Sequence, residues 1–476
     1  MTNLESSSAG AWNREPRTVK PSCRHFGPCG GCQLQNLTYS AQLASKADRL
    51  RALLSAANLA LPELQIHSSP PLGYRNRIRL TLAEINGRLR AGYIGTSVDD
   101  DRGNDQPNSA APGAHFLPIA ECPIAAPILW RAAEALLGLI NQRAAVWLER
   151  APFTLDQLEL FTTPEDAPAE LQLQISLYVR TSAKNLPARF SSALASLCES
   201  LRAEIPALAG AGIYLIPPRA ARSRRLEQPR PGTIWGAPGL NYTVAAEIAL
   251  AKEKEAVILT AARNPRISSL PLPVPQPATR NQHPAIYWVP RGAFFQVNRF
   301  LLPKLLTLVT RNRTGSLAWD LYAGVGLFTG SLAPHFTRVT AVEIAEPSFT
   351  ALASAKLPNR RAVKASTLDF LRSAVLQRDR PDLVILDPPR TGAGPEICGL
   401  LGRVAAPTLI YVSCSPEVLP ADLATLAAAG YAIAELHLLD LFPQTTHIET
   451  VAVLIRDRHA MARTFPPKFR ASVEQS

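Results

Sequence analysis

From about residue 286 to residue 455 short apolar runs alternate with helical segments, and this alternation limits the fold more than any other feature. Candidate strands cover 317–321, 338–343, 383–386, 409–412 and 450–455. Runs such as Val384-Ile385-Leu386 and Leu409-Ile410-Tyr411-Val412 are apolar at successive positions, so both of their faces must be covered. Strands separated by helices predict a parallel sheet with helices on both sides, a doubly wound, Rossmann-like α/β domain. In such sheets ligands bind beyond the carboxyl ends of the strands. The residues that directly follow each run are therefore where chemistry is expected.

Three polar segments meet that condition. Asp387-Pro388-Pro389-Arg390 follows one run, Ser413-Cys414-Ser415-Pro416 follows the next, and His447-Ile448-Glu449 precedes the last strand. A lone cysteine is ordinarily a buried packing residue, but a thiol between two polar loops at neighbouring strand ends marks an active site. Further upstream, Leu317-Ala318-Trp319-Asp320-Leu321-Tyr322-Ala323-Gly324-Val325-Gly326 is a strand running into a glycine turn, and Val342-Glu343 ends the next run. Glycines let a ligand approach the backbone, and an acidic side chain at the second strand end suits ribose hydroxyls. The turn departs from G-x-G-x-x-G, because Thr329 follows Phe328 and the next glycine is Gly330. That departure disfavours a pyrophosphate-bearing dinucleotide and favours S-adenosylmethionine, which carries no phosphate.

The upstream half has a different texture. Residues 1–22 read as a flexible tail, Ser40 to Ala57 as a helix, and about 64 to 245 as mostly β. Asp99 to Pro112 is a polar loop, and Ala125 to Arg143 suits a helix. Asn264 to Pro284 holds six prolines in 21 residues and reads as a linker or inserted loop. The expected division is a tail at 1–22, a mostly β central domain at 23–285 with an insertion at about 246–284, the α/β domain at 286–460, and a basic tail at 461–476.

Seven cysteines at irregular separations do not form a secreted disulfide framework. Cys23-x5-Cys29-Gly30-Gly31-Cys32 gathers three thiols, and Cys122 is the candidate fourth. Zinc's usual four-thiolate pattern is two separated pairs, whereas a tight triple with a distant cysteine fits a [4Fe–4S] cluster. Cluster ranks first, zinc second, and chance crowding of free thiols third.

The net charge is +12, and a basic excess attracts polyanions, nucleic acid foremost. Arg75, Arg77 and Arg79 alternate with other residues and so share one strand face; Arg219, Arg222, Arg224 and Arg225 form a second basic group. No apolar run approaches the roughly 20 residues that span a bilayer, and the N-terminus has no apolar signal core. The expectation is a cytoplasmic, monomeric protein with no membrane partner.

Taken together, these motifs resemble the RNA uridine-C5 methyltransferase family in its iron–sulfur-containing 23S rRNA branch. The resemblance is carried by the cysteine run with Cys122, Phe294-Phe295-Gln296-Val297-Asn298, the DLYAGVG loop, DPPR, SCSP and H-I-E, with Tyr74-Arg75-Asn76-Arg77 and Thr233-Ile234-Trp235-Gly236 as further elements. It implies Cys414 as nucleophile and Glu449 as the base that removes the C5 proton, with His447 a secondary base candidate. It implies Gln296, Tyr322, Gly324, Glu343 and Asp387 in the S-adenosylmethionine pocket, and Cys23, Cys29, Cys32 and Cys122 as cluster ligands. Ser366 stands where an acidic or amide residue is expected near the adenine. Only 22 residues precede Cys23, so the central domain is expected to grip RNA without an N-terminal OB-like module. The substrate it implies is 23S rRNA. The competing readings are a tRNA uridine methyltransferase, a catalytically inactive iron–sulfur RNA-binding protein, and a nicotinamide-dependent oxidoreductase, the last disfavoured by the incomplete glycine fingerprint.

Overall fold

The computed structural model describes residues 17–95, 115–165, 170–218, 229–244 and 285–456. The expectations for the extreme termini, for the 99–112 loop, for the basic group at 219–225 and for the 246–284 insertion lie outside the described residues. The strands in chain order begin with β1 (Leu64–His67), β2 (Arg77–Ile85), β3 (Arg88–Gly95), β4 (His115–Pro118), β5 (Thr154–Thr162) and β6 (Leu173–Arg180). They continue with β7 (Leu208–Ile216), β8 (Arg230–Gly236), β9 (Gly239–Val244), β10 (Ala285–Pro290), β11 (Gly315–Leu321) and β12 (Phe336–Glu343). The last five are β13 (Arg360–Lys364), β14 (Leu383–Leu386), β15 (Thr408–Ser413), β16 (Tyr431–Leu439) and β17 (Glu449–Arg456).

A seven-stranded sheet of order β4-β3-β2-β5-β6-β7-β8 forms the central unit. Its alternating apolar positions, among them Ile78, Leu80, Leu158, Leu177 and Ile213, pack against helices Pro127–Gln142 and Arg189–Glu204. The opposite face carries Arg77 over the Phe161 ring (4.2 Å) and Arg79 over the Tyr178 ring (4.1 Å). Aromatic faces and Glu159, 3.9 Å from Arg77, relieve the repulsion that arginines on one face would otherwise suffer. Arg75 does not join them; it precedes β2 and lines the cysteine cavity described below. β9 and β10 form an antiparallel ribbon in which Val244 pairs with Ala285, so the chain leaves and re-enters the described fold at one rung.

The α/β unit is an eight-stranded sheet of order β1-β16-β17-β15-β14-β11-β12-β13. The strands β15, β14, β11, β12 and β13 are parallel neighbours, as the alternation predicts. β17 is antiparallel to both β15 and β16, which corrects the expectation of a wholly parallel sheet. The reason lies in the connection. A parallel neighbour needs a crossover of a dozen or more residues, usually a helix, whereas residues 440–448 between β16 and β17 form only a loop.

The sheet also recruits the N-terminal segment. Helix α1 (Tyr39–Ala56) buries Ala47, Leu50 and Leu54 in the α/β core together with Leu64 of β1, and β1 pairs in parallel with β16. Sequence texture groups these residues with the central β unit; their packing joins them to the α/β sheet.

Candidate active site

Strand order reverses beside β11, whose neighbours are β12 and β14, and such a switch point opens a crevice at the carboxyl ends. Register brings the candidate residues to that edge. Leu386 of β14 pairs with Leu321 of β11 and with Tyr411 of β15; Ser413 of β15 pairs with Thr450 of β17. Tyr322, Asp387, Cys414 and Glu449 are therefore the next residues out on four adjacent strands. Because β17 runs the other way, its first residue lies where the others end.

Glu449 is 2% exposed and Cys414 is half-buried. Burial, reinforced by the Glu449 and Asp387 carboxylates, pushes the Cys414 thiol up to about 11, against the pull of Arg390. Burial and the Asp387 carboxylate likewise raise Glu449 well above the ordinary range, again opposed by Arg390. A nucleophilic cysteine needs surroundings that favour thiolate. Arg390 acts in that direction, but burial and two carboxylates outweigh it. Asp387 is raised by burial and by Asp320, and Asp320 itself, fully buried, is pushed up to about 7 by desolvation. Such a set of carboxyls fits a cationic ligand, because a positive charge beside them favours every ionised form at once.

The glycine turn supplies the other wall. Asp320 accepts hydrogen bonds from the Thr329 amide and hydroxyl, while its second oxygen is buried without a partner. Tyr322 (φ 61°), Gly324 (φ 57°) and Gly326 (φ 92°) turn the backbone through the left-handed region, which a residue with a Cβ enters only at a cost. A Cβ at Gly324 would meet nothing within 4 Å, so space lies open beside its backbone. Glu343 ends β12 and accepts from the amides of Gly324 (2.9 Å), Ile344 (2.7 Å) and Ala345 (2.6 Å). These bonds fix a carboxylate at the second strand end, where a ribose would lie. A donor with a sulfonium cation, a ribose and no phosphate fits these walls, and Tyr322, Gly324, Glu343 and Asp387 are the residues that would hold it.

Other expected residues fall differently. Gln296 is 7% exposed and its carbonyl accepts from the Asn76 amide group (3.0 Å), tying its loop to the central unit. Phe295 is core, 4.6 Å from the Tyr242 ring, whereas Phe294 is 65% exposed. His447 is exposed, with its ring edge-on to Phe442 at 5.7 Å. Ser366 caps helix Thr367–Leu376, accepting from the Asp369 amide and donating to the Asp369 carboxylate.

The four cysteines line one cavity of about 120 Å³ with His25, Arg75 and Tyr93. Gly30 takes a left-handed turn (φ 65°) that folds the triple around it. Burial raises the thiols of Cys29, Cys32 and Cys122, and Arg75 pulls the last two back. Among the described residues no three His, Cys, Asp or Glu side chains are gathered as ligands of a single metal ion. The thiols surround a space rather than converge on a point.

The profile of the tRNA (Uracil-5-)-methyltransferase family matches residues 274–457. The chain is 29% identical over 449 residues to the 23S rRNA (uracil(1939)-C(5))-methyltransferase RlmD of Chromohalobacter salexigens, covering 93% of this chain and 77% of that one. It is 27% identical over 437 residues to the 23S rRNA (uracil(747)-C(5))-methyltransferase RlmC of Xenorhabdus bovienii, covering 90% and 97%. Residues 274–457 thus match the uracil-5-methyltransferase family, and the chain is similar over most of its length to 23S rRNA uracil-C5 methyltransferases. Its fold is shared with the Pyrococcus abyssi tRNA (uracil-54, C5)-methyltransferase, whose structure holds S-adenosyl-L-homocysteine. That likeness has a TM-score of 0.59 at 22% identity and covers 90% of this chain and 86% of that one.

Two supports of the site escape a reading of motifs. Asp422 is 4% exposed and accepts from the Ala393 and Gly394 amides and from the Tyr411 hydroxyl, anchoring the loop that follows DPPR. Its only sequence signal is an acidic residue in the first turn of helix Leu419–Ala428. The second support is the grip on residues 440–447, taken up below.

Proposed function

We propose that this protein uses S-adenosylmethionine to methylate carbon 5 of a uridine in 23S rRNA, with Cys414 as nucleophile and Glu449 as base. The observation that supports this most is the juxtaposition of a half-buried thiol and a buried carboxyl at the β15–β17 rung, beside a cationic-ligand crevice. Carbon 5 of uracil is too weakly nucleophilic to take a methyl group unaided. Addition of the Cys414 thiolate to carbon 6 makes a sulfur–carbon bond and moves the ring's electron pair toward carbon 5. S-adenosylmethionine, when bound, supplies the methyl group that carbon 5 accepts. Glu449 then removes the carbon-5 proton, the pair re-forms the ring double bond, and the sulfur–carbon bond breaks to return the thiolate. A base stacked in a helix cannot present carbon 6 to a thiol, so the uridine must lie in a loop or be flipped out. Exposed Phe294 is suited to stack on a displaced base.

The cysteine cavity is read as the site of a [4Fe–4S] cluster held by Cys23, Cys29, Cys32 and Cys122. Four thiols around a space suit a multi-iron centre better than a single tetrahedral zinc. In this reading the centre fixes the segment that carries it and takes no part in methyl transfer.

The test is incubation with labelled S-adenosylmethionine and either 23S rRNA or tRNA transcripts, followed by mapping of 5-methyluridine. Label in one uridine of 23S rRNA is expected. Label in tRNA alone would replace the substrate assignment, and label in neither would overturn the reading.

A further inference from the structure

Residues 440–448 carry the chain from β16 to Glu449; pairing with Leu439 holds the Glu449 backbone in the sheet, and the conformation of this loop sets how the chain enters that strand end. The support comes from the segment that carries three cavity cysteines. Directly after Cys32, the Gln33 and Leu34 amides both donate to the Gln444 carbonyl (3.0 Å each), and the Gln33 side chain accepts from the Thr446 amide (3.4 Å). Gln33 is in turn tied to the cysteine turn by a 2.6 Å bond from its side-chain amide to the Gly30 carbonyl.

One helical turn into α1, Gln42 pairs with Gln444 twice. Its amide group donates to the Gln444 side-chain oxygen (2.9 Å), and its oxygen accepts from the Gln444 backbone amide (3.0 Å). Gln42 is 1% exposed and Gln444 8%. Gln444 is held at φ 69°, a left-handed conformation that a non-glycine residue keeps only where its surroundings over-determine it. One turn further along, Lys46 donates to the Asp440 carboxylate (2.6 Å) and the Phe442 carbonyl (3.0 Å). Two buried amides paired at both ends around a strained peptide, five residues before the base, do more than close a surface loop.

We infer that Gln42 and Gln444 are positioning residues for Glu449, and that the Cys23–Cys32 turn acts on the base through them, so that the state of the thiol cavity sets the placement of the base. The inference rests on the proposed roles of Cys414 and Glu449. A displacement of about 1 Å in a reacting group costs on the order of 100-fold in rate, so a small relaxation of this clamp is enough to matter. The step affected is proton removal after methyl transfer, not thiol addition.

The test uses the full-length protein, S-adenosylmethionine and the RNA transcript. Gln42→Ala, and separately Gln444→Gly, which keeps the left-handed turn, should lower turnover about 10- to 100-fold. Both should accumulate a denaturation-resistant protein–RNA adduct and leave the KM for S-adenosylmethionine unchanged. A merely structural role would lower turnover without adduct. Cys32→Ser, and wild-type protein stripped of metal by a chelator, should show faster hydrogen exchange at the 441–448 amides and the same adduct. Turnover lost without adduct, turnover unchanged, or exchange at 441–448 unaltered would overturn the inference. Glu449→Gln is the control. If it traps adduct while the clamp variants do not, the inference alone fails; if it traps none and wild type transfers no methyl group, the underlying function fails.

Discussion

Cys414 and Glu449 flank a single rung of the β15–β17 pairing, Cys414 just after Ser413 and Glu449 just before its partner Thr450. The antiparallel insertion of β17 makes this possible. A parallel strand there would present its C-terminal end at this edge, and Glu449, its first residue, would lie at the far side of the sheet. The same proximity explains why the Glu449 carboxylate opposes ionisation of the thiol.

Thiol reactivity should report that opposition. The Cys414 thiol, held up to about 11 chiefly by burial and then by the Glu449 and Asp387 carboxylates, should alkylate slowly with iodoacetamide at pH 8. Glu449→Gln removes one of those charges and should speed alkylation at that pH; Arg390→Ala removes the opposing cation and should slow it. Mass spectrometry of the Cys414 peptide across pH checks both. Identical profiles for wild type and Glu449→Gln would show that the carboxylate does not act on the thiol.

Asp320 should imprint itself on stability. Its folded carboxyl holds a proton up to about pH 7, while the ordinary value is 3.8. Between these limits the folded state binds more protons than the unfolded chain, so stability falls as pH rises, by up to about 1.4 kcal/mol per pH unit. The contribution is complete below the unfolded value and is lost as pH climbs through about 7. Asp320→Asn should flatten that part of the curve in denaturant titrations between pH 4 and pH 7. An unchanged slope would contradict the assignment.

The α/β alternation, the strand-end loops and the glycine turn were legible because each depends on local residue choice. Val384–Leu386 has to be a buried strand, and Gly324 and Gly326 have to be a turn. The recruitment of β1 and α1 and the burial of Lys46 against Asp440 were not legible, since each depends on contacts between residues hundreds of positions apart; the antiparallel placement of β17 turns on the 440–448 connection being a loop and not a crossover helix. Ser366 shows a milder failure. It stands where a contact to the adenine is expected, but its side chain is taken up by Asp369 in capping helix Thr367–Leu376. Gln42 and Gln444 carry no signature at all, because glutamines in a helix and in a loop look like solvated residues until their partners are known.

Gly326 tests the donor turn. At φ 92° any side chain is strained, and a Cβ there would approach Leu352 Cδ1 to 2.8 Å. Gly326→Ala should cost about 1–2 kcal/mol in thermal unfolding and weaken S-adenosyl-L-homocysteine binding by calorimetry. Unaltered binding would place the donor elsewhere.

The cysteine cavity predicts composition as well as dynamics. Anaerobically purified protein should carry about four iron atoms and matching sulfide per chain, with visible absorbance that bleaches on reduction. Cys122→Ser should lower the iron content markedly. Stoichiometric zinc without sulfide would replace the cluster by a structural zinc.

The most direct test of the central claim is denaturing electrophoresis of Glu449→Gln after incubation with S-adenosylmethionine and 23S rRNA transcript. The predicted result is a stable covalent protein–RNA band that contains the methylated uridine and is absent when Cys414→Ala is added to the same chain. A band that persists without Cys414, or no band in a Glu449→Gln protein whose wild type methylates the transcript, would contradict the assignment of nucleophile and base.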